Sequence, residues 1–216
     1  MTKITNIKDI DHYFKDDMTI MVGGFIESGC PNKILEYILD KGVKDISLIS
    51  NTTGFEEKTL GQMVVKKRLK KVTASHIGTN SETARQMNSG ELEVELVPQG
   101  TLAERIRCQG AGIGGFLTPT GVGTVVEEGK QKMEIDGKTY LLELPLKADL
   151  ALLKAWKVDE DGNLIYRYSS RNFNPIMAMA ADIVIVEAEE IVATGSIDPN
   201  DVMTPGIFVD HIVKFK

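Results

Sequence analysis

Apolar runs of strand length alternate with helical patterns through the first half of the chain, at residues 19–22, 46–50, 72–76 and 92–97. Such alternation predicts an α/β fold built on an open, mostly parallel sheet flanked by helices. The stretch after the first run is the most legible. Pro31 suits a first helical position, Ile34, Leu35, Ile38 and Leu39 recur on one face, and Gly42 stands just past the end. The order there is strand, glycine-rich turn, helix.

Beyond residue 96 the pattern changes. Residues 101–108 read as a helix and residues 110–124 as a Gly/Thr loop. Residues 132–135 and 138–142 flank Asp136-Gly137, a strong hairpin signal that adds a β-hairpin extension to the sheet. The last third supplies an apolar run at 149–155, a second hairpin near Asp161-Gly162-Asn163, a helix about 175–181 and a strand at 183–187. No repeat, low-complexity segment or linker interrupts the chain, so residues 1–216 are expected to form one domain.

Composition narrows the classes. The 216 residues carry a formal charge of -6, 42% hydrophobic and 26% charged residues, which describes an ordinary globular protein. That charge argues against a nucleic-acid or anionic-membrane surface as the main business, because phosphate binding needs concentrated Lys and Arg. The basic run at 66–71 reads as a solvated helix end. Cys30 and Cys108 allow at most one bridge and match no metal or redox motif, so free thiols in the cytoplasm are expected. The first residues lead into a charged stretch with no export signal. The uncharged stretch 108–126 contains six glycines and Pro119, which favours a loop over a membrane span.

Four stretches could carry chemistry. In Val22-Gly23-Gly24-Phe25-Ile26-Glu27-Ser28-Gly29-Cys30-Pro31, the glycines let backbone approach a phosphate, and the free amides of a following helix N-terminus suit an anion. A tight strand-to-helix turn explains the same glycines, and no P-loop Lys follows. Gly110, Gly112 and Gly115 form a formal GxGxxG, but a helix end precedes it where a nucleotide site requires a strand. The surrounding loop is long enough to line a site or an interface. Gln99, at the end of a strand, can donate to a developing oxyanion, whereas Thr101 and Glu104 match a capping box. Asn51-Thr52-Thr53-Gly54 follows a strand, where open α/β sheets bind ligands and where turns are also common. His12, His76 and His211 show no metal-ligand spacing, and no nucleophile stands out among Glu27, Glu104 and Glu143.

Several of these stretches occur together in one family. Residues 16–25 with Gly29-Cys30-Pro31, Glu93-Val94-Glu95-Leu96-Val97-Pro98-Gln99-Gly100-Thr101, and Thr118-Pro119-Thr120-Gly121-Val122-Gly123-Thr124 resemble the A (alpha) subunit of family I (3-oxoacid type) CoA-transferases. So do Arg171-Asn172-Phe173-Asn174-Pro175, Met177-Ala178-Met179-Ala180-Ala181 and Met203-Thr204-Pro205-Gly206, and the chain looks most like the butyrate or acetate/acetoacetate enzymes. Asp17 departs from the pattern, standing where the family commonly has Gly or Asn.

The resemblance implies ping-pong transfer of CoA from an acyl-CoA to a free carboxylate through a glutamyl thioester. It places the nucleophilic Glu in a Ser-Glu-Asn-Gly motif of a B (beta) subunit. Here Ser81-Glu82 continues as Thr83-Ala84, so this chain lacks that motif. The implied partner is the B (beta) subunit of the CoA-transferase, in an A2B2 heterotetramer, with no tightly bound cofactor, no metal and coenzyme A as substrate. The implied CoA-binding loop is Gly24, Phe25, Ile26, Glu27, Ser28, Gly29 and Cys30, and Asn51 and Gln99 are the implied supporting polar groups. A sugar-phosphate isomerase-like enzyme or a non-catalytic ligand-binding protein of the same broad fold stands as the alternative, since fold alone does not settle function.

Overall fold

The computed structural model describes residues 2–215. In chain order the elements are β1 (Thr19–Val22), α1 (Asn32–Lys41), β2 (Ile46–Thr52), α2 (Thr59–Val65), β3 (Leu69–His76), α3 (Ser81–Asn88), β4 (Glu93–Leu96) and α4 (Gln99–Gly110). There follow β5 (Phe116–Thr118), β6 (Lys132–Ile135), β7 (Lys138–Glu143), β8 (Ala148–Asp159), β9 (Leu164–Ile165), α5 (Asn174–Met177), β10 (Ala181–Val192) and β11 (His211–Val213).

The main sheet runs β11-β10-β8-β1-β2-β3-β4 with every neighbouring pair parallel. Alternate residues of one strand enter opposite cores, which is why the parallel strands read as unbroken apolar runs. On β1, Ile20 and Val22 pack beneath α1 and α2 with Ile34, Leu35 and Met63, while Met21 joins Leu102, Ile106 and Met177 of α4 and α5 on the other face. The helix predicted after β1 forms with its apolar face buried and ends on Gly42 at φ 80°. Asp17 adopts φ 66°, the left-handed conformation that Gly and Asn take most readily.

Several boundaries move. Pro31 precedes the first turn of α1, which begins at Asn32. The basic run spans two elements, with Lys66 ending α2 and Lys70 and Lys71 inside β3. Pro98 takes the N-cap of α4, so Thr101 is buried one turn in and Glu104 pairs with Arg107 at 2.9 Å; the capping box does not form. The helix near 175–181 shortens because β10 starts at Ala181.

The Asp136-Gly137 hairpin forms as β6 and β7, and β5 joins it in a separate three-stranded antiparallel sheet. The Gly/Thr loop is thus part helix end and part strand. Gly110 closes α4, and a Cβ there would stand 2.5 Å from Cβ of Met179. The formal GxGxxG is accordingly a helix end turning into a strand.

An ionic cluster joins the small sheet to α4. Glu143 of β7 is 1% exposed and meets Lys130 at 2.5 Å and Arg105 at 3.8 Å. Arg105 also binds Glu95 of β4 at 2.6 Å and donates to the carbonyl of Leu144 at 2.8 Å. Glu143→Ala would leave Lys130 without its carboxylate in a half-closed site, with an expected loss of about 3 kcal/mol in urea unfolding. Removing the exposed Lys33–Glu36 pair is expected to cost about 0.5 kcal/mol or less.

Candidate active site

Strand order reverses at β1, with β2 on one side and β8 on the other. Open α/β sheets bind ligands at such a switch point, outside the carboxyl ends of the strands. The glycine loop of residues 23–31 leaves β1 there.

Asn174 shapes that loop. Its side chain is fully buried; Oδ1 accepts from the Lys154 amide of β8 at 3.1 Å, and Nδ2 donates to the carbonyls of Ser170 at 2.9 Å and Gly29 at 3.2 Å. The approach demands missing side chains. A Cβ on Gly23 would stand 2.0 Å from Asn174 Oδ1, and one on Gly29 2.5 Å from the Ser170 carbonyl. Asn172 adds a bond from Nδ2 to the Ser28 carbonyl at 2.9 Å, and Ser28 Oγ meets Ser170 Oγ at 3.0 Å.

At the loop's tip, Phe25 and Ser28 exchange two main-chain bonds of 3.0 and 3.1 Å around Ile26 and Glu27. Ile26 sits at φ 55°, where hairpin turns ordinarily use Gly and where a β-branched residue is strained by about 1–3 kcal/mol. The amides of Ile26 and Glu27 donate to no acceptor among the described residues. Phe25 is 41% exposed, whereas Cys30 points into the core. Burial pushes the Cys30 thiol far up, so no thiolate forms there.

The amides of α1 are not the free anion site expected from the sequence. Glu187, at the end of the apolar part of β10, is 6% exposed and accepts from the amides of Lys33 at 2.8 Å and Ile34 at 3.2 Å. A carboxylate from β10, distant in sequence, already occupies the positive end of the helix. Lys154, beside it at 3.6 Å, also approaches Glu189, which binds Arg167 at 3.0 Å; that guanidinium stacks 4.4 Å from the Trp156 ring centre. Lys154 and Arg167 are therefore paired with carboxylates of β10.

Asn51 and Gln99 do come together. β2 extends to Thr52, so Asn51 lies within the strand and is 1% exposed, and Gln99 opens α4 and does not end a strand. Asn51 Nδ2 donates to Gln99 Oε1 at 3.2 Å and to Ser75 Oγ at 3.0 Å. Gln99 borders a cleft of about 340 Å³ that also meets Phe25, Gly100, Ala103, Asn172, Phe173 and Ile176. Phe25 of the glycine loop, the Gln99 end of α4 and the segment 172–176 form its walls. Residues 110–124 do not line it, and His76 is exposed elsewhere.

The sequence pattern does not reveal Glu187, Lys154 and Ser75 as neighbours of the site. Nothing local marks them, since each is a polar residue inside or beside a buried strand. Among the described residues no group of His, Cys, Asp or Glu is placed to hold a metal ion, and no helix is long and apolar enough to cross a membrane.

The family profile described as Coenzyme A transferase matches residues 4–215. The chain belongs to the coenzyme A transferase family. It is 57% identical over 212 residues to the acetate CoA-transferase subunit alpha of Escherichia coli K12, covering 98% of this chain and 96% of that protein. It is 47% identical to the acetoacetyl-CoA:acetate/butyrate CoA transferase alpha subunit of Clostridium acetobutylicum, covering 99% and 98%. The fold is shared with an acyl-CoA transferase of Escherichia coli O157:H7 solved as a thioester complex with CoA: TM-score 0.84, 21% identity, 99% of this chain and 47% of that one.

In this CoA-transferase chain the close packing of Gly23 on Asn174 predicts a cost. Gly23→Ala is expected to lose about 1–3 kcal/mol of stability, read as a lower urea midpoint, because the methyl group and the buried amide cannot share the space. A second expectation concerns Glu187. Burial raises its carboxyl above the ordinary range, and Lys154 and the two α1 amides offset only part of that. The folded state therefore keeps the proton to higher pH than the unfolded chain. Stability from this group is full below the ordinary carboxylate range and falls as pH rises through the raised value. The stability of the wild type relative to Glu187→Gln should decline across that interval, and a rising difference would contradict the assignment.

Proposed function

We propose that the chain is the alpha subunit of a two-chain CoA-transferase that moves CoA between a short-chain acyl-CoA and a free carboxylate. Acetoacetyl-CoA, butyryl-CoA or acetyl-CoA are the donors considered, and short acids are the acceptors. What carries this reading is the end-to-end match to the alpha subunit of the acetate enzyme, with 57% identity. The cleft itself supports the division of labour. Its lining residues include a carboxamide at Gln99 and apolar walls at Phe25, Phe173 and Ile176, but no carboxylate.

The nucleophilic Glu then comes from a beta subunit in an A2B2 assembly. Its carboxylate oxygen attacks the thioester carbonyl, the C–S bond breaks, and an acyl anhydride and CoA thiolate result. The thiolate attacks the glutamyl carbonyl, releasing the first acid and leaving a glutamyl thioester, and the acceptor acid reverses the two steps. Each attack builds a negative oxygen that the Gln99 amide can receive. The tip amides of Ile26 and Glu27, with the exposed Phe25 ring, are the parts of the Gly24 to Cys30 segment open to CoA; Cys30 contributes only main chain. Asn51 acts on Gln99 and not on substrate, because it is buried.

CoA enters as a substrate, and the reading needs no bound metal or cofactor. The family match spans both sheets, which supports a single domain over residues 1–216. The two free, buried cysteines fit a reducing, cytoplasmic location.

The test is reconstitution with a CoA-transferase beta chain that carries a Ser-Glu-Asn-Gly motif. Transfer from acetoacetyl-CoA to acetate should require both chains, and activity in this chain alone, or none in the pair, would overturn the reading. In the active pair, Gln99→Ala is expected to lower kcat about 100-fold or more with little change in the KM for CoA substrate.

A further inference from the structure

A carboxamide at the mouth of the cleft helps a negative oxygen only if it presents its NH2 end. The choice for Gln99 is made two side chains away. Ser75, on β3, has its Oγ 2.9 Å from the main-chain oxygen of Asn51 and 3.0 Å from the Asn51 side chain. A hydroxyl has one proton, and a main-chain oxygen only accepts, so that proton goes to Asn51 O. The Oγ lone pair is then left to accept, and the end of Asn51 that faces it must be Nδ2. The second Nδ2 proton points to Gln99, whose nearer atom at 3.2 Å must be its carbonyl Oε1. Gln99 is left with its NH2 for the cleft.

Reversing Asn51 would set its oxygen against Ser75 Oγ. Either two lone pairs would face each other, or the main-chain oxygen would lose its donor. The arrangement has a visible cost. Asn51 Oδ1 is buried without a donor among the described residues, and an unsatisfied buried acceptor costs about 1–3 kcal/mol.

We propose that Ser75 is a positioning residue that sets the direction of the Gln99 carboxamide through Asn51, so that a donor and not an acceptor faces the reacting carbonyl. The proposal rests on the reading of the cleft as the CoA-transfer site. Ser75 touches no substrate; it works through the fixed donor and acceptor sequence of three side chains. Asn51→Asp should reverse the device, since a carboxylate offers only acceptors and draws the Gln99 NH2 inward.

The experiment is a double-mutant cycle on the reconstituted two-chain enzyme with acetoacetyl-CoA and acetate. Ser75→Ala is expected to lower kcat about tenfold with the acetoacetyl-CoA KM within about twofold, and Ser75→Thr, which keeps the hydroxyl, should restore kcat. In a Gln99→Ala background Ser75→Ala should cause no further loss. Asn51→Asp should approach the kcat of Gln99→Ala and likewise add nothing to it. Losses that add in the double variants, or full activity in Ser75→Ala, would overturn the proposal while the wild-type pair remains active. An inactive wild-type pair would overturn the functional reading together with this one.

Discussion

The carboxamide of Asn174 is the group on which the shape of this site depends. It is fully buried and binds three main-chain atoms from three places: the Lys154 amide of β8, the Ser170 carbonyl and the Gly29 carbonyl. Those bonds hold the loop leaving β1 against the neighbouring strand at the point where the sheet's order reverses. The glycines of the loop follow from this constraint. Gly23 and Gly29 are bare because the Asn174 amide and the Ser170 carbonyl occupy the space of a side chain. With its base clamped, the loop can carry a strained Ile26 at its tip and leave two amides unpaired, a pre-set geometry of the kind that binding sites retain at a cost elsewhere.

Electrostatics follow a different logic from the usual anion-binding turn. Glu187 fills the N-terminus of α1, and Glu189 engages the cations beside the loop. An acidic protein of charge -6 thus uses its local positive potential internally. The proposed function has negative charge met instead by dipoles: the amides at the tip of the turn and the NH2 of Gln99. Oriented dipoles stabilise a charge that appears only during reaction without attracting anions beforehand.

How much of this is readable from residues alone depends on the range of the interaction. The strands β1 to β4 and the helix α1 are legible because burial of both sheet faces and of one helix face writes local periodicity. Asn51 and Gln99 are proposed as site residues only through resemblance, and their local setting differs from the one their neighbours in sequence suggest. A polar residue near a strand's end resembles a turn, yet Asn51 continues β2, and its Nδ2 donates to Ser75 and Gln99. Thr101 and Glu104 match a capping box, but Pro98 begins α4 one turn earlier. Glu187 lies more than a hundred residues from the helix it caps, and no spacing announces such a contact. The Asn172 to Pro175 stretch stands out only as a family likeness; its physical reason is the clamp on the glycine loop.

In the proposed reading these features make half of a reaction centre: a cleft bordered by the Gln99 carboxamide and by apolar side chains, with no carboxylate among its lining residues. The proposed division of labour leaves the nucleophile to a second chain. The most direct test is to incubate the two-chain enzyme with acetoacetyl-CoA, reduce with borohydride and locate the modified glutamate by peptide mass spectrometry. A single reduced Glu on the beta subunit and none on this chain is the expected result; a reduced Glu in this chain would contradict the division of labour.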